Sequence, residues 1–560
     1  MSIMFSVGFL SFCVISKIGA VLQTITSDYF ELPVVHFNDF HARFEQTSPD
    51  GNSCKNETEC IGGFSRLYSK INSLLEEKPK SVLLNAGDNY QGTLYYTVGH
   101  WNITQEFMNK LPIDAEVLGN HEFDDGVAGI VPYIKSIQHP IIVSNIDDSL
   151  EPSMQGIYQK STIIERNGKK IGIIGVITSE CAKLSSTGDL KFFDESTSVN
   201  AEAERLVKEE NVFTIIVLSH SGYEVDQEIA QNAHEKISLI VGGHSHTFLW
   251  TGDNPPGPDP VGGPYPTIVK SNQGHNVLVT QASAYCKYVG NITVYLDHNG
   301  EIADYTGAPI FLANNLPQDP QINKDLQPWK EEVDKQGNKV LGSTLVDLSF
   351  EGCYTHECTL GNFIADASVF AFTKSPPEGA WTEASIGLAN AGGLRTTIRT
   401  GNITYADIKT SQPFSNTIDF GQLYGKYLKE TFERCTLEYH AGRTEASTTL
   451  LQVSGIIVEY DFAKPEGERV ISLKARCHNC TVPVYEDVEM DKLYNLAMNS
   501  YMAEGGDGFD IIGKNLINKK KGLVDVDVFV DYIAHRSPIF EEEGGRIILH
   551  NAENSYVIRR

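Results

Sequence analysis

Residues 213–246 read FTIIVLSHSGYEVDQEIAQNAHEKISLIVGGHSH. Two short apolar runs, FTIIVLSH and ISLIVGGH, each stop on a histidine, and a polar stretch of helix length joins them. A continuous apolar run this short reads as a strand buried on both faces. The same grammar extends outward from Leu32 to about Thr293. The runs PVVHF, SVLLNAG, DAEVLGN, HPIIVSN and KKIGIIGVI each lead into Gly, Asp, Asn or His, and stretches such as GFSRLYSKINSLLEE and STSVNAEAERLVKEE alternate with them as helices. This alternation predicts a layered α/β domain.

The chain continues well past that domain. With 560 residues it exceeds what one hydrophobic core organises, so at least two domains are expected. Near Leu316 the text changes to PQDPQINKDLQPWKEEVDKQGNK, which opens on two prolines and suits a linker that becomes a helix. A second segment with its own apolar runs and Gly-rich turns follows. The expected division is a leader over 1–20, a first domain over 25–315, a linker helix over 316–340, a second domain over 341–549 and a polar tail over 550–560. The Pro/Gly-rich loop GDNPPGPDPVGGPYP at 252–266 reads equally as a connector or as a lid near a site.

The formal net charge is −27, which argues against a nucleic-acid binder. The compact basic run Lys519-Lys520-Lys521 reads as a solvated loop. An acidic protein acting on an anion needs local positive charge, and bound metal ions are the usual source. Residues Met1 to about Ala20 read as a signal peptide, although no Lys or Arg precedes their apolar core. No later run reaches the roughly 18 apolar residues of a membrane span, and with the polar end HNAENSYVIRR no lipid-anchor signal is expected. A soluble exported protein is expected. Close cysteine pairs at Cys54/Cys60, Cys353/Cys358 and Cys477/Cys480 suit short loops clipped in an oxidising compartment, while Cys181, Cys286 and Cys435 have no obvious partner. N-x-T sequons stand at Asn56, Asn102, Asn291, Asn402 and Asn479.

Five clusters fall at or just past the ends of the expected strands, where open α/β sheets gather ligands. They are Asp39-x-His41, Gly87-Asp88, Gly119-Asn120-His121-Glu122, His220, and Gly243-His244-Ser245-His246. Any one of them alone is more simply a turn or a helix cap. Together they match the needs of phosphate-ester hydrolysis, which requires activated water and compensation for negative phosphoryl oxygens. Two metal ions about 3.5–4 Å apart supply both. Mixed imidazole, carboxylate and amide ligands suit zinc, manganese or iron over an all-oxygen calcium cage. Asp88 is the natural bridging carboxylate. His121 is placed to protonate the leaving oxygen or bind the phosphate, with Asp124 orienting its ring.

In type, order and spacing, DFH, GDNYQG, GNHEFD, SHSG and GHSH resemble the signature of calcineurin-like metallophosphoesterases. With the second segment, the chain resembles the 5'-nucleotidase/apyrase family from about Leu32 to Leu549. The resemblance implies an α/β fold (α+β overall): an N-terminal four-layer metallophosphoesterase β-sandwich flanked by helices, a linker helix, and a C-terminal α/β nucleotide-binding domain. It places one divalent ion on Asp39, His41, Asp88 and His246 and another on Asp88, Asn120, His220 and His244. Zinc is the first expectation, with manganese, magnesium or calcium as alternatives. His121 and Asp124 match the family's catalytic pair. At position 246 the nucleotidases often carry Asn or Gln.

In the second segment, Asn390 and the glycines of NAGGLR read from residues alone as a turn, followed by Arg395 with a guanidinium able to fork onto phosphate oxygens. Asp507 of NSYMAEGGDGF reads as a turn former, and Phe414 of SQPFSN and Tyr501 as core aromatics. The resemblance makes them the nucleotide pocket: Arg395 forks onto phosphate oxygens, Phe414 and Tyr501 stack on a base, and Asp507 holds the ribose. Where AMP-hydrolysing relatives carry a basic residue just after the first Cys of the second-domain pair, this chain has Tyr354. That departure, and the absence of an expected anchor, resemble the soluble salivary apyrases of blood-feeding arthropods, which cleave ATP and ADP to AMP and so remove the ADP that recruits platelets. The alternatives are a 5'-nucleotidase releasing adenosine from AMP, and a non-catalytic nucleotide-binding or adhesion protein. The family also implies rotation of the second domain between loading and hydrolysis.

Overall fold

All but one of the apolar runs in the first half of the chain become strands. The computed structural model describes residues 29–552, apart from 50, 52–53, 55–56, 375, 415, 438–449 and the side chain of Lys183. The expected leader, most of the expected tail and the sequon at Asn56 lie outside these residues. One six-stranded sheet runs Ile302–Gly307, Tyr288–Leu296, Phe30–Phe37, Val82–Asn85 and Ala115–Glu116, with Ile310–Phe311 also paired to the second of these. The other runs Thr267–Lys270, Asn276–Thr280, Ile237–Val241, Thr214–His220, Lys169–Ile177 and Ser161–Arg166. HPIIVSN is the exception, contributing only isolated bridges at Ile141 and Ile142.

The central strands of both sheets are parallel, and Thr214–His220 and Ile237–Val241 are buried at every residue, as continuous apolar composition requires. One hydrophobic core spans the two sheets. Helix Phe64–Glu77 covers the first sheet, and helices Glu195–Arg205 and Tyr223–Gln231 cover the second, giving the layered α/β sandwich. Phe64–Glu77 shows why: Phe64, Leu67, Ile71 and Leu74 recur at helical spacing and all are buried.

The helix Pro320–Gly337 opens on Asp319, whose carboxylate accepts from the N–H groups of Gln321 and Ile322, with Pro320 in the first turn. It packs back on the first sandwich through Trp329 Nε1, which donates to Glu106 Oε2 at 3.1 Å, and through Lys110–Asp325 at 2.6 Å. Beyond it, a five-stranded sheet orders Leu451–Ser454, Ile386–Asn390, Leu493–Asn499, Ile418–Tyr424 and Ile517–Lys520, and a four-stranded sheet orders Tyr485–Asp487, Val470–Arg476, Ile456–Asp461 and Ile547–His550.

Two sequence readings change. Lys519 and Lys520 belong to an exposed edge strand, not a loop, where they pair with the Ala503 carbonyl and Glu383; edge lysines discourage further strand pairing. The 252–266 loop holds a short strand, Val261–Gly263, paired to Phe248–Leu249, and sends Pro258, Asp259 and Pro260 into the wall of the interdomain cleft. The three close cysteine pairs form disulfides, and Cys181, Cys286 and Cys435 are buried free thiols. Among the described residues no helix is long and apolar enough to cross a membrane.

Candidate metal centre and active-site cleft

The parallel strands of both sheets deliver their C-terminal ends to one place. The loops after Phe37 and Asn85 are zipped together, with Asp39, His41 and Ala42 donating N–H groups to the carbonyls of Gly87, Asp88 and Asn89. Both loops, and the one after Val241, turn sharply: Asp39, His41, Asp88, His244 and His246 all have positive φ, between 48° and 77°. Non-glycine residues in this region are uncommon and concentrate at functional sites. The glycines permit the crowding. A Cβ at Gly119 would lie 2.1 Å from Asp88 Oδ1, and one at Gly87 would lie 2.9 Å from His220 Nδ1.

Two donor clusters result, Asp39–His41–Asp88–His246 and Asp88–His220–His244, with the donor atoms of each within 4.8 Å of one another. His41 Nε2 lies 3.0 Å from His246 Nε2 and 3.7 Å from Asp88 Oδ2. His246 Nε2 lies 3.2 Å from Asp39 Oδ1, and His220 Nε2 lies 3.1 Å from Asp88 Oδ2. Asn120 Oδ1 is buried without a hydrogen-bond donor.

These groups fit divalent cations. His41 Nδ1 faces the carbonyls of Tyr90 and Gln91, and His220 Nδ1 faces that of Ala86 at 2.6 Å. Each Nδ1 therefore carries the proton, and each Nε2 turns toward the cluster. Burial holds His41 well below the usual imidazole range, with the Arg395 charge adding to the effect, and brings His244 down to about 3. These are neutral rings, the form that binds metal. His220 is the opposite case: burial opposes its protonation, but the Asp88 carboxylate lifts it to about 10. A cation between His220 and Asp88 would do the work that the proton otherwise does.

The sequence names His121 and its partner Asp124 but not Ser185, which holds Asp124 in turn. Its N–H donates to Asp88 Oδ1 at 2.9 Å, its Nδ1 meets Asp124 Oδ2 at 2.8 Å, and Ser185 Oγ donates to Asp124 Oδ1 at 2.8 Å. Burial lowers the basicity of His121, and Asp124 and Asp88 more than restore it. Glu122 is the other omission. Its buried carboxylate accepts N–H groups from Asp88, Asn89, Tyr90 and Gly119 at 2.6–3.1 Å, locking two motif loops together. Its place inside GNHEFD was the only signal. Tyr285, whose ring packs against His41 and His246, had none.

Above the centre opens a cleft of about 1010 Å³ walled by both domains. Asp88, Asn120, His121, Asp124, His244 and His246 line its floor, and Tyr354, Asn390, Arg395, Phe414, Tyr501 and Asp507 line the facing wall. Arg395 Nη2 reaches to 3.3 Å from His41 Nε2, and the Phe414 ring stacks on His121 with centroids 5.5 Å apart. Asn390 Nδ2 donates to Asp507 Oδ2 at 2.7 Å, and the Tyr501 hydroxyl donates to Asp507 Oδ1 at 3.0 Å. Burial pushes the Tyr354 hydroxyl up to about 12, against the Arg395 charge.

Residues 32–248 match the family model described as calcineurin-like phosphoesterase, and residues 340–514 match the 5'-nucleotidase C-terminal domain. The chain is 47% identical over 519 residues to an apyrase of Tabanus yao, covering 92% of this chain and 93% of that one. The chain belongs to the 5'-nucleotidase family. It is 39% identical to the 5'-nucleotidase of Rattus norvegicus, with 93% and 91% of the two chains covered. A solved 5'-nucleotidase precursor of Thermus thermophilus superposes with a TM-score of 0.85 at 30% identity, over 93% of this chain and all of that one. As a family member, this protein is a metal-dependent nucleotide hydrolase with its di-metal candidate site in the phosphoesterase domain.

Proposed function

We propose that this family member is a secreted apyrase that removes the terminal phosphate of ATP and ADP and leaves AMP. The observation that carries the reading is the overlap of two donor clusters at Asp88 beneath a cleft that Arg395 enters from the other domain. Divalent ions held by Asp39, His41, Asp88, Asn120, His220, His244 and His246 would supply Lewis acidity and charge neutralisation. The nitrogen-rich donor set favours zinc.

The remaining steps belong to side chains. Arg395 forks onto phosphate oxygens, and swinging from His41 to substrate costs it one 3.3 Å contact. His121, with Nδ1 anchored on Asp124, presents Nε2 to the cleft and delivers its proton to the leaving oxygen. Phe414 and Tyr501 receive the base. Asp507, already oriented by Asn390 and Tyr501, accepts from ribose hydroxyls.

Preference for di- and triphosphates rests on Tyr354, a neutral phenol beside Arg395. With one cation fewer, a phosphate next to the ribose is gripped less firmly as the scissile group. The closed disulfides support an oxidising, extracellular setting. Phosphate release from AMP, ADP and ATP, with and without chelator, tests the reading: ADP and ATP are expected to be cleaved and AMP spared. Rapid AMP hydrolysis would instead make the protein a 5'-nucleotidase. Tyr354→Arg is expected to raise AMP turnover about tenfold by restoring one charge-assisted contact; unchanged AMP turnover would remove Tyr354 from the account.

A further inference from the structure

Phe414 occupies an unusual position for a large aromatic side chain. Among the described residues its ring belongs to none of the apolar cores. It rests instead on His121 and, with the ring centroid 5.7 Å from the guanidinium carbon, on Arg395. Both of those groups must serve the substrate, so packing alone leaves the ring without a fixed seat.

The backbone around it is gripped from both ends by buried charges that the proposed chemistry does not use. On one side Lys409, 2% exposed in helix Tyr405–Ser411, donates from Nζ to the Pro413 carbonyl at 2.9 Å. On the other Asp525, 3% exposed at the start of helix Asp525–Arg536, makes a two-point contact with Asn416. Its Oδ2 accepts the Asn416 N–H at 3.0 Å, and its own N–H donates to the Asn416 carbonyl at 2.8 Å. Ser500 fastens the same loop to the neighbour of Tyr501: its hydroxyl donates to Asn416 Oδ1 at 3.1 Å and accepts the Thr417 N–H at 3.2 Å. Burying a lysine and an aspartate is costly unless each is hydrogen-bonded; here Lys409 Nζ and Asp525 Oδ2 both bond to this segment, while Asp525 Oδ1 accepts the Val526 N–H of its own helix at 2.6 Å.

We propose that Lys409 and Asp525 are positioning residues for base recognition, clamping the backbone at Pro413 and at Asn416, on either side of Phe414, so that Phe414 faces the cleft. The inference rests on the reading of Phe414 as the base platform, and it assigns that platform a specificity device of its own. Gln412 sets the limit of the effect. Its Nε2 donates to the Gly393 carbonyl at 2.9 Å, and Arg395 N–H donates to the Ser411 carbonyl at 3.1 Å. The Arg395 turn is thus tied to the helix end and to Gln412, before the clamped segment, and should stay in place when the clamp is cut.

The test is steady-state ADP hydrolysis by the full chain, with adenosine and inorganic phosphate as competing probes. Lys409→Met and Asp525→Ala are expected to raise KM for ADP and Ki for adenosine about tenfold, with kcat and the Ki for phosphate within about twofold of wild type. Asp525→Asn keeps an acceptor for the Asn416 N–H and is expected to recover most of the affinity. If Asp525→Ala fails to fold, Lys409→Met carries the test alone. Wild-type adenosine affinity in Lys409→Met, a parallel loss of kcat and phosphate affinity, or no recovery in Asp525→Asn overturns the clamp. Phe414→Ala separates the two claims: unchanged adenosine affinity in that variant overturns the platform reading itself, whereas weakened affinity there beside a wild-type Lys409→Met overturns the clamp alone.

Discussion

Asp88 carries a conflict between burial, charge and backbone strain. It is buried, belongs to both donor clusters and holds φ at 54°, a conformation that costs a non-glycine residue about 1–3 kcal/mol. Asparagine tolerates that conformation better than most residues and carries no charge. Asp88→Asn is therefore expected to lower ADP turnover by at least about a thousandfold, through loss of the shared carboxylate, and to leave the Tm in chelator at or above that of wild type. A variant markedly less stable than wild type in chelator would show that the carboxylate serves folding instead. At this scale the sequence was legible wherever chemistry restricts residue type. Asp, His and Asn after apolar runs suggest ligands; six of the seven expected ones form the two donor clusters, and Asn120 lines the cleft above them. Phe414, Tyr501 and Asp507, which line the cleft, were singled out only through family resemblance, because aromatics and turn formers have cheaper explanations. Ser185 was not readable: its partner Asp124 lies 61 residues away, and nothing local marks the pair.

Strands and loops turn those residues into a site. Glu122 joins the Gly87 and Gly119 loops by accepting four N–H groups. Glu122→Gln would turn an amide NH2 toward some of them, and each buried donor left unpaired costs about 1–3 kcal/mol. Lower Tm and weaker metal retention in a chelator titration are expected, and wild-type behaviour in both would refute the clamp. A second carboxylate contributes to the pH response. Burial pushes Glu541 up to about 7, with Asp366 adding to the effect and Arg546 opposing it. Between the unfolded carboxylate range and pH 7 the folded chain therefore binds a proton that the unfolded chain has released, so stability falls as pH rises through that window. Glu541→Gln is expected to raise Tm at pH 8 and change it little at pH 4; equal shifts at both would refute the assignment. Elements were legible where the apolar run was long, as in Thr214–His220. HPIIVSN failed as a strand because its two paired residues meet different neighbours, Glu116 and Gln159. The Lys519 edge strand was hidden by composition, since an exposed edge needs no apolar residues.

Across the whole molecule, a net charge of −27 repels nucleotides everywhere except where cations gather. Neither domain alone completes the site: the first holds the donor clusters and His121, and the second holds Arg395 and the aromatic wall. The linker helix, docked on the first sandwich through Trp329 and Lys110, sets the frame within which the two halves meet. A two-domain α/β plan was legible from length and alternation, but the closeness of the halves was not, because contacts such as Arg395–His41 leave no local mark in the text. The most direct test counts divalent ions per chain by mass spectrometry while following phosphate release from ADP through chelation and metal restoration. Two ions per chain are expected, with activity lost when they leave and regained when they return. Full ADP hydrolysis by the metal-free chain would contradict the account.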